Sequence, residues 1–258
     1  MDAIVLAGGV PQQEDLLYAH TQGQPKALLD VAGKPMGQWV LEALTGAPSI
    51  TRIVVVGIEE GQGLHAPKVT AYLPDVGSML GNCLAGIERA TTADPTASQV
   101  LMVSCDIPLL TSAMIEALLR LANDPTIDIY HSLIARARME ARFPTSRRSY
   151  ARFADGDFAA GDIHVIAPHI GQSHRDLWQA LMRSRKSVVK QALHLGPIFL
   201  VRYLSGRLTL AELEQRVQRK LGLNVCALEV PYPEMGMDAD KPFQLEICRR
   251  ELADRGIA

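Results

Sequence analysis

A pair of glycines and a lysine near the start of the chain have the types and spacing expected of a phosphate site. Gly8 and Gly9 follow an apolar run that begins at Ala3, and Lys26 stands directly after Pro25. Glycines placed after a first strand let a ligand approach the backbone closely, and a lysine supplies a point charge to phosphate oxygens. Taken alone, Lys26 would be interpreted as a solvated surface lysine.

Three acidic residues form the second chemical group. Asp106 closes the apolar run that starts at Val100, and Asp238 and Asp240 precede an apolar helical pattern near the end of the sequence. Carboxylates bind Mg²⁺, and residues spaced by two in an extended segment point the same way. Each acid also has a structural alternative, because Asp106 can form a turn or a cap and Asp240 can cap the last helix.

Two familiar phosphate loops are absent from the sequence. A Walker loop needs GxxxxGK followed by Ser or Thr, and no such stretch occurs. A dinucleotide fingerprint needs a further glycine, but Val10-Pro11-Gln12-Gln13 follows Gly9, and Pro11 has no N–H to donate to a phosphate. The glycine pair therefore indicates another kind of nucleotide loop.

The elements that must position these residues alternate between strands and helices over the first half of the chain. Predicted strands are Ala3–Leu6, Ile53–Val56, Val69–Leu73, Val100–Val103 and Ile127–Ala135, and predicted helices are Met36–Ala43, Gly81–Thr91 and a helix capped by Thr111 that ends at Leu121. Continuous apolar strands indicate a sheet covered on both faces. The alternation predicts a doubly wound α/β fold with a mainly parallel sheet.

The pattern changes after residue 135. Residues 136–162 are rich in arginine and contain an Asp155-Gly156 turn, which predicts an insertion carrying a hairpin. Further predicted elements are a strand at Ile163–Ile166, mainly helical structure over 174–220, a strand at Asn224–Val230 and a helix at Pro242–Ala253. The core candidates within 174–220 are Leu177, Leu181, Leu204, Leu213 and Val217.

Composition narrows the class of protein. The 258 residues are 48% hydrophobic, enough for one large α/β domain or two small ones. A net charge of -2 argues against nucleic acid and anionic membranes as partners. No apolar run reaches the roughly 18–20 residues of a membrane helix, the N-terminus lacks the basic region of a signal peptide, and the four cysteines match no zinc or redox spacing. We expect a cytoplasmic protein with reduced cysteines.

Three segments in order carry a resemblance to a known family. They are Leu6-Ala7-Gly8-Gly9, Pro25-Lys26-Ala27-Leu28-Leu29 and Val31-Ala32-Gly33-Lys34-Pro35-Met36. Together they resemble the signature of molybdenum-cofactor guanylyltransferase-like (MobA-like) and sugar-phosphate nucleotidyltransferases. The likeness is strong over 1–110 and 236–253 and weak over 136–235. It implies a Rossmann-like three-layer α/β/α nucleotidyltransferase fold of the glycosyltransferase-A type with a mainly parallel sheet.

The resemblance also implies a domain plan. A single nucleotidyltransferase domain would span 1–258, with a nucleotide-binding half over 1–110. The acceptor half would be 111–235, including the arginine-rich insertion 136–162. Residues 236–258 would form a closing segment that completes the metal site and ends in a helix.

The resemblance further implies roles for individual residues. Lys26 and Asp106 would be catalytic, and Asp106, Asp240 and Asp238 would hold Mg²⁺. The family's closing segment reads D-x-D-T-P-E-D-L, where this chain has D-A-D-K-P-F-Q-L from Asp238. Residues implied to bind the nucleotide are Leu6, Ala7, Gly8, Gly9, Lys26, Ser78 and Asn82. Ser78 and Asn82 have an alternative as parts of a plain helix N-terminus.

The acceptor side is predicted from the arginine-rich segment. Arg147, Arg148 and Asp162 are the candidate acceptor-binding residues. The family's loop usually contains an arginine that contacts the triphosphate, but no arginine lies between Gly9 and Lys26 here. Arg147 and Arg148 are also candidates to replace it.

The predicted activity is transfer of a nucleoside monophosphate from a nucleoside triphosphate to a phosphorylated small-molecule acceptor, with Mg²⁺ and release of pyrophosphate, by a monomer or homodimer. The resemblance implies GTP as the favoured donor, because relatives that use pyrimidine nucleotides more often have LAAG than LAGG, and CTP is the next candidate. Two alternatives stay open. One is a nucleotide-binding regulatory protein that lost catalysis with the loop arginine. The other is a glycosyltransferase that uses a ready-made nucleotide sugar, against which the PKALL segment argues.

Overall fold

The computed structural model describes residues 1–171 and 197–256. The strands are β1 (Asp2–Leu6), β2 (Asp30–Val31), β3 (Lys34–Pro35), β4 (Arg52–Val56), β5 (Val69–Leu73), β6 (Val100–Ser104), β7 (Ile129–Ala135), β8 (Ala151–Phe153), β9 (Gly156–Ile166) and β10 (Val225–Glu229). The helices are α1 (Tyr18–Thr21), α2 (Met36–Gly46), α3 (Met79–Ala93), α4 (Ser112–Leu121), α5 (Arg136–Arg142), α6 (Pro197–Leu204), α7 (Leu210–Leu221) and α8 (Pro242–Asp254).

The central sheet is mainly parallel, as predicted. Its strand order is β10-β7-β9-β6-β1-β4-β5, and β8 pairs with β9 at the side. Strand β1 pairs in parallel with both β4 and β6, whereas β9 runs antiparallel to β6 and β7. Strands β2 and β3 form a separate two-stranded hairpin across the turn at Ala32 and Gly33.

Helices cover both faces of the sheet, which confirms the three-layer α/β/α prediction. One buried cluster joins Val5 to side chains of α2, α4 and α8. A second cluster joins Ile4 to side chains of α3 and α7. Because consecutive residues of β1 enter different clusters, both faces of this strand are buried, and its sequence is continuously apolar rather than alternating.

The segment after residue 135 differs from the prediction. The hairpin at Asp155 is present between β8 and β9, but residues 136–142 form helix α5. The strand predicted at 163–166 is the end of the longer strand β9, which starts at Gly156 and lies between β6 and β7. Small and acidic residues, including Gly161 and Asp162, interrupt the apolar pattern of β9. For this reason the sequence predicts an insertion where the first half of this strand lies.

The remaining helical prediction is partly outside the described residues. Leu177 and Leu181 lie in the range 172–196, which the structure does not describe. Leu204 is exposed rather than part of the core, because it ends the short helix α6. Val217 of α7 packs against the second cluster. No helix in the two described ranges has both the length and the apolar character needed to cross a membrane.

Candidate active site

The glycine pair and Asp106 meet at the carboxyl edge of the sheet. Leu6, the last residue of β1, pairs with Ser104, the last residue of β6. The Leu6 carbonyl accepts a hydrogen bond from the Cys105 N–H at 3.1 Å. Ligands of open α/β sheets bind beyond the carboxyl ends of the strands, so both segments emerge at the edge where a ligand is expected.

A backbone hydrogen bond closes the loop between the glycines and the lysine. The Lys26 N–H donates to the Gly9 carbonyl at 2.8 Å, and Lys26 then opens a short 3-10 helix that ends at Leu28. The chain over 10–25 therefore leaves the sheet and returns beside Gly9, with α1 inside the loop. This closure brings the predicted lysine back to the strand ends.

Lys26 lies between two of the predicted carboxylates. Its Nζ donates to Asp106 Oδ2 at 2.5 Å and also to Asp240 Oδ1. The side chains of Lys26 and Asp106 are each only 13% exposed, whereas that of Asp240 is 57% exposed. The Ala239 N–H donates to the Asp106 carbonyl at 2.9 Å, and this bond brings the closing segment to the end of β6.

Lys26 and Asp106 keep each other ionised, because the attraction between their opposite charges outweighs the effect of burial. Burial lowers the pKa of the Lys26 ammonium, but the charges of Asp106 and Asp240 outweigh it, so this pKa lies above its usual value. Burial raises the pKa of Asp106, but the ammonium of Lys26 outweighs it, so the Asp106 pKa lies below its usual value. Lys26 is therefore a fixed cation and Asp106 a fixed anion at neutral pH.

A second ion-paired group lies next to the first. Arg148 pairs with Asp238, and its guanidinium also lies 3.9 Å from Asp162. Burial, followed by the charges of Asp106 and Asp240, raises the pKa of Asp162 to about 7. The prediction of Asp238 as a third metal ligand gains no support from this arrangement, since its carboxylate is paired with Arg148.

Glycines allow the strand ends to pack closely. A Cβ on Gly8 would lie 2.8 Å from the Asn82 amide nitrogen. Gly57, at the end of β4, has a φ of 100°, and a Cβ there would lie 2.2 Å from both Cα and N of Gly8. A Cβ on Gly9, by contrast, would meet no atom within 4 Å. Gly8 and Gly57 are therefore demanded by packing, while Gly9 leaves open space at the site.

Both ends of the Asn82 side-chain amide are bonded within the protein, and its contact with the nucleotide stays a prediction. Its Oδ1 accepts from the Val76 N–H at 2.9 Å, and its Nδ2 donates to Asp75 Oδ1 at 2.9 Å. The residue lies inside α3 and is buried. An amide whose two ends are both bonded positions the 75–77 loop next to Gly8.

Ser78 follows the structural alternative. It is the N-cap of α3, and its hydroxyl accepts a hydrogen bond from the Gly81 N–H at 3.1 Å. Leu6 and Ala7, also predicted to bind nucleotide, end β1, and the Ala7 N–H is bonded to the Val56 carbonyl at 2.7 Å. Their backbone leads directly into Gly8, and their contact with the nucleotide stays a prediction.

Sequence reasoning missed Gly57 and Asp75. Gly57 follows the apolar run Ile53–Val56, so a glycine directly after a second parallel strand was the available signal. Asp75 Oδ1 accepts from the Gly77 N–H at 2.9 Å as well as from Asn82. No pattern in the sequence marks this contact, because it joins a loop to a helix.

The carboxylate oxygens at Asp106 are suitable ligands for a hard cation. Its Oδ2 bonds Lys26, while its Oδ1 is buried without a hydrogen-bond partner among the described residues. No cluster of three or more acidic, histidine or cysteine side chains suited to a metal occurs in the described ranges. Mg²⁺, however, is usually bound by one or two carboxylates together with substrate phosphates and water, and Asp106 with Asp240 supplies two.

Comparison with known proteins identifies the family. The family model for the MobA-like NTP transferase domain matches residues 3–194. The chain belongs to this family. A hypothetical transferase from Thermus thermophilus has 34% sequence identity and a TM-score of 0.78, over 95% of this chain and 98% of that one. The MobA-like assignment made from the sequence is thereby confirmed.

Two further relatives agree with the family and its fold. A molybdenum cofactor guanylyltransferase from Serratia proteamaculans (strain 568) is 29% identical over 116 residues, which is 45% of this chain and about half (53%) of that protein. A CMP:2-keto-3-deoxy-manno-octonic acid synthetase solved with CTP shares the fold, with a TM-score of 0.57, 18% identity and 98% coverage of both chains. The nucleotidyltransferase class and the glycosyltransferase-A type of fold predicted from the sequence are confirmed.

Proposed function

We propose that this protein transfers a nucleoside monophosphate from a nucleoside triphosphate to a phosphorylated small molecule, with release of pyrophosphate and with Mg²⁺. The observation that carries the proposal is the ion-paired group at the sheet edge, in which the buried side chains of Lys26 and Asp106 meet the exposed carboxylate of Asp240 and the Lys26 N–H is bonded to the Gly9 carbonyl. GTP is the favoured donor, with CTP next. We also propose one nucleotidyltransferase domain over 1–258.

The loop backbone and Lys26 bind the donor phosphates in this proposal. Gly9 leaves space for a phosphate against the backbone, since no atom lies within 4 Å of the position that its Cβ would take. Lys26 starts a 3-10 helix immediately after the loop closes, so its ammonium is near the same opening. It exchanges carboxylate partners for phosphate oxygens when the nucleotide binds.

Asp106 and Asp240 hold the metal in this proposal. Asp106 Oδ1 is a buried acceptor without a hydrogen-bond partner among the described residues, and the exposed carboxylate of Asp240 contacts the Lys26 ammonium that Asp106 Oδ2 also contacts. Mg²⁺ held by these two carboxylates would supply positive charge at the phosphates, which would lower the cost of the charge that develops on the leaving pyrophosphate. The protein itself supplies positioning and charge, which account for most of the catalysis in phosphoryl-type transfers.

A phosphate monoester is the acceptor class that best suits this set of residues. Its oxygen attacks the α-phosphorus, a new P–O–P bond forms, and the bond to the β-phosphate breaks. A dianionic phosphate is already deprotonated, so the attack needs no strong general base. The fixed charges of Lys26 and Asp106 are consistent with this requirement.

The experiment is pyrophosphate release from each of GTP, CTP, ATP and UTP with Mg²⁺ and a pool of phosphorylated metabolites. We expect release with one preferred triphosphate, and loss of at least about a hundred-fold in rate for Asp106→Asn. Glu116→Gln, which changes an acid of helix α4 that is bonded to Ser49, is the matched control and should retain the rate. Binding of a triphosphate without any release would favour the regulatory protein, and binding of a nucleotide sugar alone would favour the glycosyltransferase.

A further inference from the structure

A small cavity adjoins the carboxylate group but takes no part in the proposed nucleotide site. It has a volume of about 410 Å³ and is lined by Pro144, Thr145, Arg147 and Phe243. Its lining residue Arg147 directly precedes Arg148, which is paired with Asp238, and Phe243 comes three residues after Asp240. Consecutive Cα atoms are about 3.8 Å apart, so the backbone of the cavity wall lies close to the backbone of the ion-paired residues.

Two cations lie over the aromatic ring that lines the cavity. The Arg147 guanidinium carbon lies 5.5 Å from the centre of the Phe243 ring, and Lys241 Nζ lies 5.8 Å from it. The salt bridges found among the described residues involve neither cation. Two cations beside one ring, without a carboxylate partner in the described part of the chain, form a local positive patch, which attracts anions.

The two consecutive arginines have different environments. Arg148 is 12% exposed and is neutralised by Asp238 and Asp162. Arg147 is exposed and has a left-handed φ of 49°, which is uncommon for a residue other than glycine and persists where the surroundings hold it. The preceding residue, Ser146, is buried, and its carbonyl accepts from Gln244 Nε2 at 3.3 Å. This bond ties the arginine segment to α8, which carries Phe243.

We propose that Arg147, Lys241 and Phe243 form the acceptor subsite, and that it binds the phosphate of an organic phosphate monoester. Arg147 and Lys241 contact the phosphate oxygens, and Phe243 fixes the two cations and supplies an apolar wall for the organic part. The inference rests on the proposed function, since it places the acceptor beside the metal carboxylates. The transfer then forms one P–O–P bond, breaks the α–β bond of the triphosphate and requires no net proton.

The test uses phenyl phosphate as the probe and phenol as the uncharged control, both titrated into the full-length protein and followed by ligand-observed NMR. We expect phenyl phosphate to bind the wild type and to bind Arg147→Gln and Lys241→Gln about ten-fold more weakly or worse, since charge-assisted hydrogen bonds are lost. Arg120→Gln is the matched control, an exposed arginine in the last turn of α4, and should bind as the wild type does. Phe243→Leu should also weaken binding.

Separate readouts distinguish failure of the subsite from failure of the proposed function. The subsite is overturned if the wild type, Arg147→Gln and Lys241→Gln bind phenyl phosphate equally, or if none of them binds it. It is also overturned if GTP with Mg²⁺ displaces phenyl phosphate completely. The stabilisation of the wild type by GTP and Mg²⁺ is measured in parallel by thermal melting. If that stabilisation is absent, the nucleotide proposal fails, while the arginine and lysine comparison still decides whether an anion binds in the cavity.

Discussion

Replacement of Lys26 by methionine should destabilise the nucleotide-free protein because it leaves Asp106 buried without its cation. Removing one partner of a buried ion pair typically costs 3–5 kcal/mol. Both side chains of this pair retain 13% exposure, so we expect a loss at the lower end, about 3 kcal/mol. The Asp240 pair adds little, because a carboxylate that is 57% exposed is largely screened by water.

The assay is urea unfolding without divalent cations at about pH 7.5, arranged as a double-mutant cycle. Lys26→Met combined with Asp106→Asn should be more stable than Lys26→Met alone, because the unpaired charge is then gone. Lys34→Met is the control, since Lys34 pairs with Glu42 at the surface, and it should cost less than about 1 kcal/mol. The reasoning is refuted if Lys26→Met costs no more than Lys34→Met, or if the two site substitutions are simply additive.

Three further predictions concern the backbone and the buried imidazole next to the site. Gly57→Ala should lower the free energy of unfolding, measured with urea, by more than about 2 kcal/mol, because the added Cβ would overlap Gly8 and the φ of Gly57 is positive. Gly9→Ala should lower the free energy of unfolding by less than about 1 kcal/mol, since its Cβ would meet no atom within 4 Å. The same substitution should reduce the rise in melting temperature that GTP and Mg²⁺ produce. Equal losses of stability at Gly57 and Gly9 would contradict the packing argument. Burial and the charge of His131 lower the pKa of His164, so below about pH 6.5 the unfolded chain takes up a proton that the folded chain excludes. His164 alone should therefore lower the free energy of unfolding by at most about 1.4 kcal/mol from about pH 7.5 to 5.5. His164→Gln should lose that contribution, and an unchanged pH slope would contradict the lowered pKa of His164.

Much of the nucleotide side could be predicted because its signals are local. The strand before Gly8 is continuously apolar, and Asp106 follows another such strand, so the sheet edge was evident from the sequence. The spacing of Gly9 and Lys26 suggested a loop but gave no sign of the backbone hydrogen bond that closes it. That bond joins residues far apart in sequence, which periodicity does not record.

The acceptor side was less predictable because its strands contain residues that are typical of loops. Strand β9 contains Gly161 and Asp162, which read as a loop, although pairing with β6 and β7 places them inside the sheet. Tertiary pairing here overrides local preference. Arg147 and Arg148 are equivalent in the sequence, and only the structure separates the paired Arg148 from Arg147 over the Phe243 ring.

Calorimetric binding of GTP with Mg²⁺ to the wild type and to Asp106→Asn tests the central claim most directly. The account predicts that the wild type binds the magnesium–nucleotide and that Asp106→Asn binds it at least about ten-fold more weakly, since a charged ligand of the metal is lost. Equal affinity for both proteins, or affinity of the wild type for a nucleotide sugar but for no triphosphate, would contradict it.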